Sequence, residues 1–293
     1  MTEPTPIDHV WLSAHPLPVH PPGTDKNDRG RVLIVGGSAL VPGALRLTAE
    51  AALRVGAGKV RIATVASAAT PLGIAMPEAA VIALPQDEDG EIAIEAARVI
   101  ESNVERCDTL VIGPGMSGGG QVSSLISSLL GNPRQDLSIV LDAAAVSEAG
   151  ELATLISRHE GRVILTPHHG EMARLKSCDM AEVEAAPIRI SQDAAAEFNA
   201  VVVLKSGETF ITMPSGNVGR YSSDCIGLAT GGSGDVLAGA IGGLLSRGAS
   251  PTSSAGWGVW IHREAGRALS SRIGRIGFLA RELAAEFPGL MQL

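Results

Sequence analysis

Seven short apolar runs punctuate the chain: RVLIVGG (31–37), KVRIATV (59–65), AVIALP (80–85), TLVIGPG (109–115), SIVLDAA (138–144), RVILTPH (162–168) and VVVLKSG (201–207). They are too continuously apolar for a sheet with one wet face, whose strands would alternate between core and solvent. Stretches of helical spacing separate most of them, among them GALRLTAEAALRVGA (43–57), IAIEAARVIES (92–102), QVSSLISSLLG (121–131) and AEVEAAPIRISQDAAAEF (181–198). Apolar strands joined through helices require a parallel sheet covered on both faces. The expected fold is α/β, with a central, mostly parallel sheet in a three-layer α/β/α sandwich. TFITMPSGN (209–217) adds a short β element, and the last 60 residues read as helices. Aromatic residues are only 3% of the chain, so Val, Ile, Leu and Ala must build the core.

No domain boundary is visible after residue 29. Residues 1–28 carry Pro4, Pro6, Pro16, Pro18, Pro21 and Pro22, which favour extended backbone. They read either as an arm packed on the domain or on a neighbouring subunit, or as a tail, ahead of a single catalytic domain at 29–293. The net charge of −8 and the lack of Lys/Arg clusters argue against general nucleic-acid binding. No run approaches the length needed to cross a membrane, and none resembles a signal core. Cys107, Cys178 and Cys225 are odd in number and form no C-x-x-C, which suits a reducing, cytoplasmic setting and fixes no metal site.

In parallel α/β sheets, ligands bind beyond the carboxyl ends of the strands. Small or polar residues gather there: Gly36-Gly37-Ser38, Gly113-Pro114-Gly115, Asp142, Thr166-Pro167-His168 and Lys205-Ser206-Gly207. GPGMSG (113–118) satisfies G-x-G-x-x-G, but Asp142 is only loosely placed for the ribose-binding acid. The plainer reading is a loop kept small for close approach of a ligand. RVGAGKV (54–60) is no phosphate-binding loop, because Leu53 and Val60 stand where glycine and Ser/Thr are needed. In TPHHGE (166–171), His168 either contacts substrate or is one member of a solvated and packed pair.

The stretch TGGSGDVLAG (230–239) carries the strongest chemical signal. Three glycines in ordered backbone are costly, and here they stand where a helix starts. Open N–H groups and the helix dipole attract anions at such a start, and glycine lets the backbone curl around a phosphate. Gly232, Ser233 and Gly234 are the expected anion hole. Asp235 would repel a phosphate, so it either caps the helix or takes a proton from a hydroxyl attacking a bound phosphoryl group.

ATGGSGDVLAG resembles the anion-hole and catalytic-Asp signature of the ribokinase-like superfamily. Together with VLIVGGS…GA, RVGAG, MPEAAV, VIGPGM, LDAAAV, LTPHHGEMARL and VVLKSGET, in that order, it resembles the ADP-dependent NAD(P)H-hydrate dehydratases over nearly the whole chain. That family repairs nicotinamide cofactors hydrated on the ring, using ADP, or ATP in some branches, with magnesium. The resemblance implies that the hydrate hydroxyl is phosphorylated and phosphate is then lost. It assigns Ala44, Gly115, His168 and Asp235 to the hydrated dinucleotide. It assigns Lys205, Ser206, Gly207, Glu208, Thr209 and Gly234 to the nucleotide, and implies a homotetramer. No stretch of the sequence would form the family's epimerase domain, so a separate epimerase is the expected partner. Val41 and Leu45 replace the usual Tyr and Pro, Asp25-Lys26-Asn27 replaces H-K-G, and Ala144 replaces the second acid of L-D-A-D-A. A vitamin-precursor kinase of the same superfamily, acting on a hydroxymethylpyrimidine or thiazole, is the alternative enzyme. A silent nucleotide sensor is the alternative outside catalysis.

Overall fold

The structure is a computed structural model that describes residues 3–222 and 224–292. Ten strands form one sheet: β1 (Thr5–Pro6), β2 (Arg31–Val35), β3 (Lys59–Val65), β4 (Ala80–Leu84), β5 (Thr109–Ile112), β6 (Ser138–Leu141), β7 (Val163–Leu165), β8 (Val201–Leu204), β9 (Glu208–Thr212) and β10 (Val218–Ser222). Their order is β1-β10-β9-β8-β7-β6-β5-β2-β3-β4. From β8 to β4 every pairing is parallel. β9 runs antiparallel to both of its neighbours, because the short turns after Leu204 and Thr212 permit only hairpins.

The helices are α1 (His9–Ala14), α2 (Ala44–Arg54), α3 (Ala66–Ala75), α4 (Ala97–Val104), α5 (Gly120–Leu130), α6 (Ala144–Ser147), α7 (Ala153–Ser157), α8 (His169–Leu175), α9 (Met180–Ala185), α10 (Pro187–Phe198), α11 (Ser233–Ser246), α12 (Pro251–Arg272) and α13 (Ala280–Leu290). Successive strand residues feed opposite cores. Val32 and Ile34 of β2 pack with α2, α11, α12 and α13, whereas Leu33 and Val35 pack with α4, α5 and α10. The strands therefore need apolar residues at every position, which explains their continuous runs.

Residues 181–198, read as one helix, form two. The break falls at Ala186, and Pro187 opens α10, where a missing N–H costs nothing. In the N-terminal segment, β1 adds parallel to β10, and Asp8 caps α1 by accepting from Val10 and Trp11. Trp11 and Leu12 are buried in the core that holds α12. Gly256 allows this, since a Cβ there would lie 2.1 Å from the Trp11 ring. Among the described residues no helix is long and apolar enough to cross a membrane.

Candidate active site

The loops that leave β2, β5, β6, β7 and β8 meet the N-terminus of α11. Gly37 donates to the Pro114 carbonyl at 2.8 Å, locking the first two loops together. Gly113 (φ +115°) lies so close to β6 that a Cβ would come within 1.9 Å of the Asp142 carbonyl. Ala143 follows Asp142 at φ +49°, an uncommon conformation for a residue with a side chain. Such strain is found where a neighbouring side chain must be aimed. Thr166 donates to Asp142 Oδ1 at 2.6 Å, and Lys205 Nζ reaches the same oxygen at 2.8 Å. Lys205 Nζ also lies 3.7 Å from Glu171 Oε2.

Burial works against the charge of Lys205, but Asp142, Glu171 and Asp235 outweigh it and raise its pKa. The same crowding acts in reverse on Asp235. Its carboxyl is pushed up to about 7 by burial first and then by Asp142, with Glu171 adding and Lys205 opposing. One ammonium thus sits among three carboxylates, with Asp142 and Glu171 within ion-pair distance.

At the start of α11 the open N–H groups are those of Gly234 and Asp235, one residue along from the Gly232–Ser233–Gly234 set expected from sequence. Gly232 takes φ +88° and is the N-cap. The Ser233 N–H donates to the Thr230 carbonyl at 3.2 Å, so that group is spent. Its hydroxyl and carbonyl both meet His262 Nε2 at 3.0 Å. His262 is pulled down to about 3 by burial and by Arg263, so it stays neutral. Among the described residues the N–H groups of Gly234 and Asp235 have no backbone acceptor. They are the open donors of the helix end.

Gly234 borders a cavity of about 700 Å³, whose walls also include His168, Lys205, Ser206, Gly207, Thr209 and Ser233. Glu208 is not in the wall. Its carboxylate accepts from Ser222 and faces Arg220. Ala44 and Gly115 are also outside this cavity and touch each other, since a Cβ on Gly115 would lie 2.8 Å from that of Ala44. Gly234, next to Asp235, lines the cavity, while Gly232 abuts Leu47 of α2, the helix that Ala44 begins. His168 is the N-cap of α8, its Nδ1 accepting from Gly170 and Glu171, which leaves Nε2 to donate. His169 is packed beside it and is less exposed, at 24% of its side chain against 59%.

Glu171, His262 and Arg263 were not singled out from sequence, and Asp142 was noted only as a polar strand end. Asp142 and Glu171 stood inside recognised motifs, whereas His262 and Arg263 lie mid-helix with no local signal. A second cavity of about 620 Å³, under residues 12–20, gathers no comparable group. Arg247 there is occupied by the carbonyls of Val55 and Pro18.

Residues 32–288 match the sequence profile of the NAD(P)H-hydrate dehydratase family. The chain belongs to that family. An ADP-dependent (S)-NAD(P)H-hydrate dehydratase of Xanthomonas campestris is 44% identical over 280 residues, 96% of this chain and 93% of the relative. The bifunctional NAD(P)H-hydrate repair enzyme Nnr of Escherichia coli is 35% identical over 270 residues; this chain spans 49% of its length. The crystal structure of the ADP/ATP-dependent NAD(P)H-hydrate dehydratase of Bacillus subtilis, co-crystallized with ATP/Mg2+, superposes with a TM-score of 0.82 at 26% identity, covering 99% of this chain and 98% of that one. Its fold and theirs are ribokinase-like, as the sequence implied.

Among the described residues no cluster of three or more His, Cys, Asp or Glu side chains is placed to hold a metal ion. The family's magnesium fits the site all the same. That ion commonly takes one or two carboxylates and completes its shell with phosphate and water, and Asp142 and Glu171 are such a pair.

The geometry sets an expectation for Gly234. A Cβ there would stand 3.5 Å from Lys205 Nζ, an ordinary contact, and the residue has no positive φ. Gly234→Val is expected to leave Tm within about 2 °C and to weaken ADP binding by roughly tenfold or more, because the valine methyls fill phosphate space. Calorimetric titration checks this; unchanged affinity with a large loss of stability would make the glycine structural.

Proposed function

We propose that the protein dehydrates hydrated NADH and NADPH, using ADP as phosphoryl donor. The observation that carries this reading is Asp235, raised toward neutrality at the start of α11, where the N–H groups of Gly234 and Asp235 are open and Gly234 lines a nucleotide-sized cavity. Lys205 and the turn Ser206–Thr209 hold the nucleotide, while Ala44, Gly115 and His168 meet the hydrate. Asp235 takes the proton of the ring hydroxyl, whose oxygen bonds to the β-phosphorus of ADP as the bond to AMP breaks. The N–H groups of Gly234 and Asp235 bind the oxygens of the phosphoryl group in transfer. The ring nitrogen's electron pair then expels phosphate. Loss of a proton from the adjacent ring carbon restores the double bond, giving NAD(P)H, AMP and phosphate.

Asp142 and Glu171 would hold magnesium with the nucleotide, and the ion would supply neutralising charge on the phosphates. Hydroxide leaves poorly and phosphate leaves well, which is why a kinase-like site suits a dehydration. On this reading the protein acts in the cytoplasm as a homotetramer, together with an NAD(P)H-hydrate epimerase. The bifunctional repair enzymes, about twice this chain's length, support that pairing.

The test is direct. With hydrated NADH, magnesium and ADP, NADH absorbance should return, and AMP and phosphate should appear in equal amounts. A non-transferable ADP analogue should abolish the signal. Return of NADH without nucleotide would sink the phosphorylation step. Efficient phosphorylation of a thiazole or pyrimidine alcohol, with the hydrate ignored, would install the vitamin-kinase reading instead.

A further inference from the structure

Arg263 sits on α12 in the wall of the nucleotide cavity, one residue beyond His262. Its Nη2 donates to the Ser206 carbonyl and, at 2.7 Å, to the Thr209 hydroxyl, so it ties together the two ends of the turn after β8. Among the described residues no carboxylate lies within ion-pair distance of it. The neighbouring Glu264 is taken by Tyr221 and Arg267. Asp224 shares the cavity wall but makes no ion pair with Arg263. The Nε and Nη1 atoms of Arg263 have no hydrogen-bond partner among the described residues and keep some solvent access, although most of the side chain is buried.

The charges around the site make this arrangement consequential. Lys205, the other cation in the wall, is already shared among three carboxylates. A polyphosphate entering the cavity thus meets one ammonium already paired with carboxylates and one guanidinium without a counter-charge. A guanidinium with unpaired N–H donors suits a phosphate oxygen.

We propose that Arg263 is a nucleotide-binding residue that grips the α-phosphate of ADP, the one that departs with AMP. This rests on the ADP-dependent reading above. It assigns to α12 a charge that selects a phosphorylated adenosine over the bare nucleoside, and that steadies AMP as it takes up negative charge when the P–O bond breaks.

The experiment compares ADP, AMP and adenosine by titration calorimetry on wild-type protein, Arg263→Gln and Arg263→Lys, with Tm recorded for each. The expected result for Arg263→Gln is a loss of about 10- to 100-fold in ADP and AMP affinity, the usual worth of a charge-assisted contact. Adenosine affinity should change less than threefold. Arg263→Lys keeps the charge without the fork and should recover part of the loss, and it also serves if the glutamine variant does not fold. An equal fall for all three ligands would reduce Arg263 to a brace for the turn and overturn the proposal, as would unchanged ADP binding. Wild-type protein that bound no adenine nucleotide would overturn both this proposal and the dehydratase reading. Wild-type binding with variant-insensitive affinities would sink this one alone.

Discussion

Asp235→Asn should slow the dehydration by about 10²–10⁴-fold, the worth of a positioned general base, while ADP binding holds or improves. The substitution keeps the shape of the side chain and removes only its ability to take a proton. Because burial, Asp142 and Glu171 push the carboxyl up to about 7, the ionised base is scarce in acid. In the parent enzyme kcat/KM should therefore climb as pH rises through about 7 and level off above it. In the Asn variant the residual rate should lack that limb. The linkage to stability has the opposite sense. A carboxyl whose folded pKa exceeds its ordinary 3.8 holds its proton more tightly in the fold, so its contribution is fully present below about 4 and is lost as pH rises toward 7. Above that window the ionised group weakens the fold by something on the order of 2–4 kcal/mol. Asp235→Asn is accordingly expected to melt higher than the parent at pH 8 and not at pH 4. A variant with full activity, whatever its melting behaviour, would leave Asp235 as a helix cap and nothing more.

The second large effect is structural. Gly239 lies on the face of α11 that presses against α2, and a Cβ there would come 2.1 Å from the Thr48 carbonyl oxygen and 2.8 Å from Thr48 Cα. These are backbone atoms and cannot rotate away. Gly239→Val should destabilise the protein by about 3 kcal/mol or more, at the severe end of overpacking, and lower Tm by roughly 6 °C or more. The gain in helix propensity, a few tenths of a kcal/mol, does not offset this. The contrast with Gly234→Val is diagnostic. The two glycines share a helix, but one makes room for a ligand and the other for a neighbouring helix. Equal melting temperatures for Gly239→Val and the parent would mean that α2 and α11 can separate without cost.

The parallel sheet was legible because its strands are apolar at every position and its helices carry a distinct period. The segment Ala66–Ala75 escaped, since alternating small residues and an internal Pro71 give no stripe. The helix at Trp11 escaped because the surrounding prolines pointed to extended backbone. In the site, the cost of three glycines pointed to TGGSGD, and Asp235 and Gly234 do stand at the helix end. The finer assignment of donors did not follow, because it depends on Thr230 accepting from Ser233, a contact between two residues that sequence cannot orient. The positive φ belongs to Gly232, not to Gly234. Arg263 was invisible for a related reason: within a long helix only the packing of α12 tells which turn faces the cavity.

The seat of Asp235 also decides where motion can enter the reaction cycle. From Val236 to Ser246 every residue of α11 is buried, against β5, β6, α2 and α12. Amide protons along that helix should exchange only through global unfolding, so the base is immobile on the timescale of turnover. Across the cavity, Gly207, Glu208, Asp224 and Ile226 are exposed, and their amides should open locally. We expect a nucleotide to slow exchange at residues 206–208 and 224–229 and at the open N–H groups of Gly234 and Asp235, while leaving Val236–Ser246 untouched, which would mark these rims as the gate against a fixed anvil.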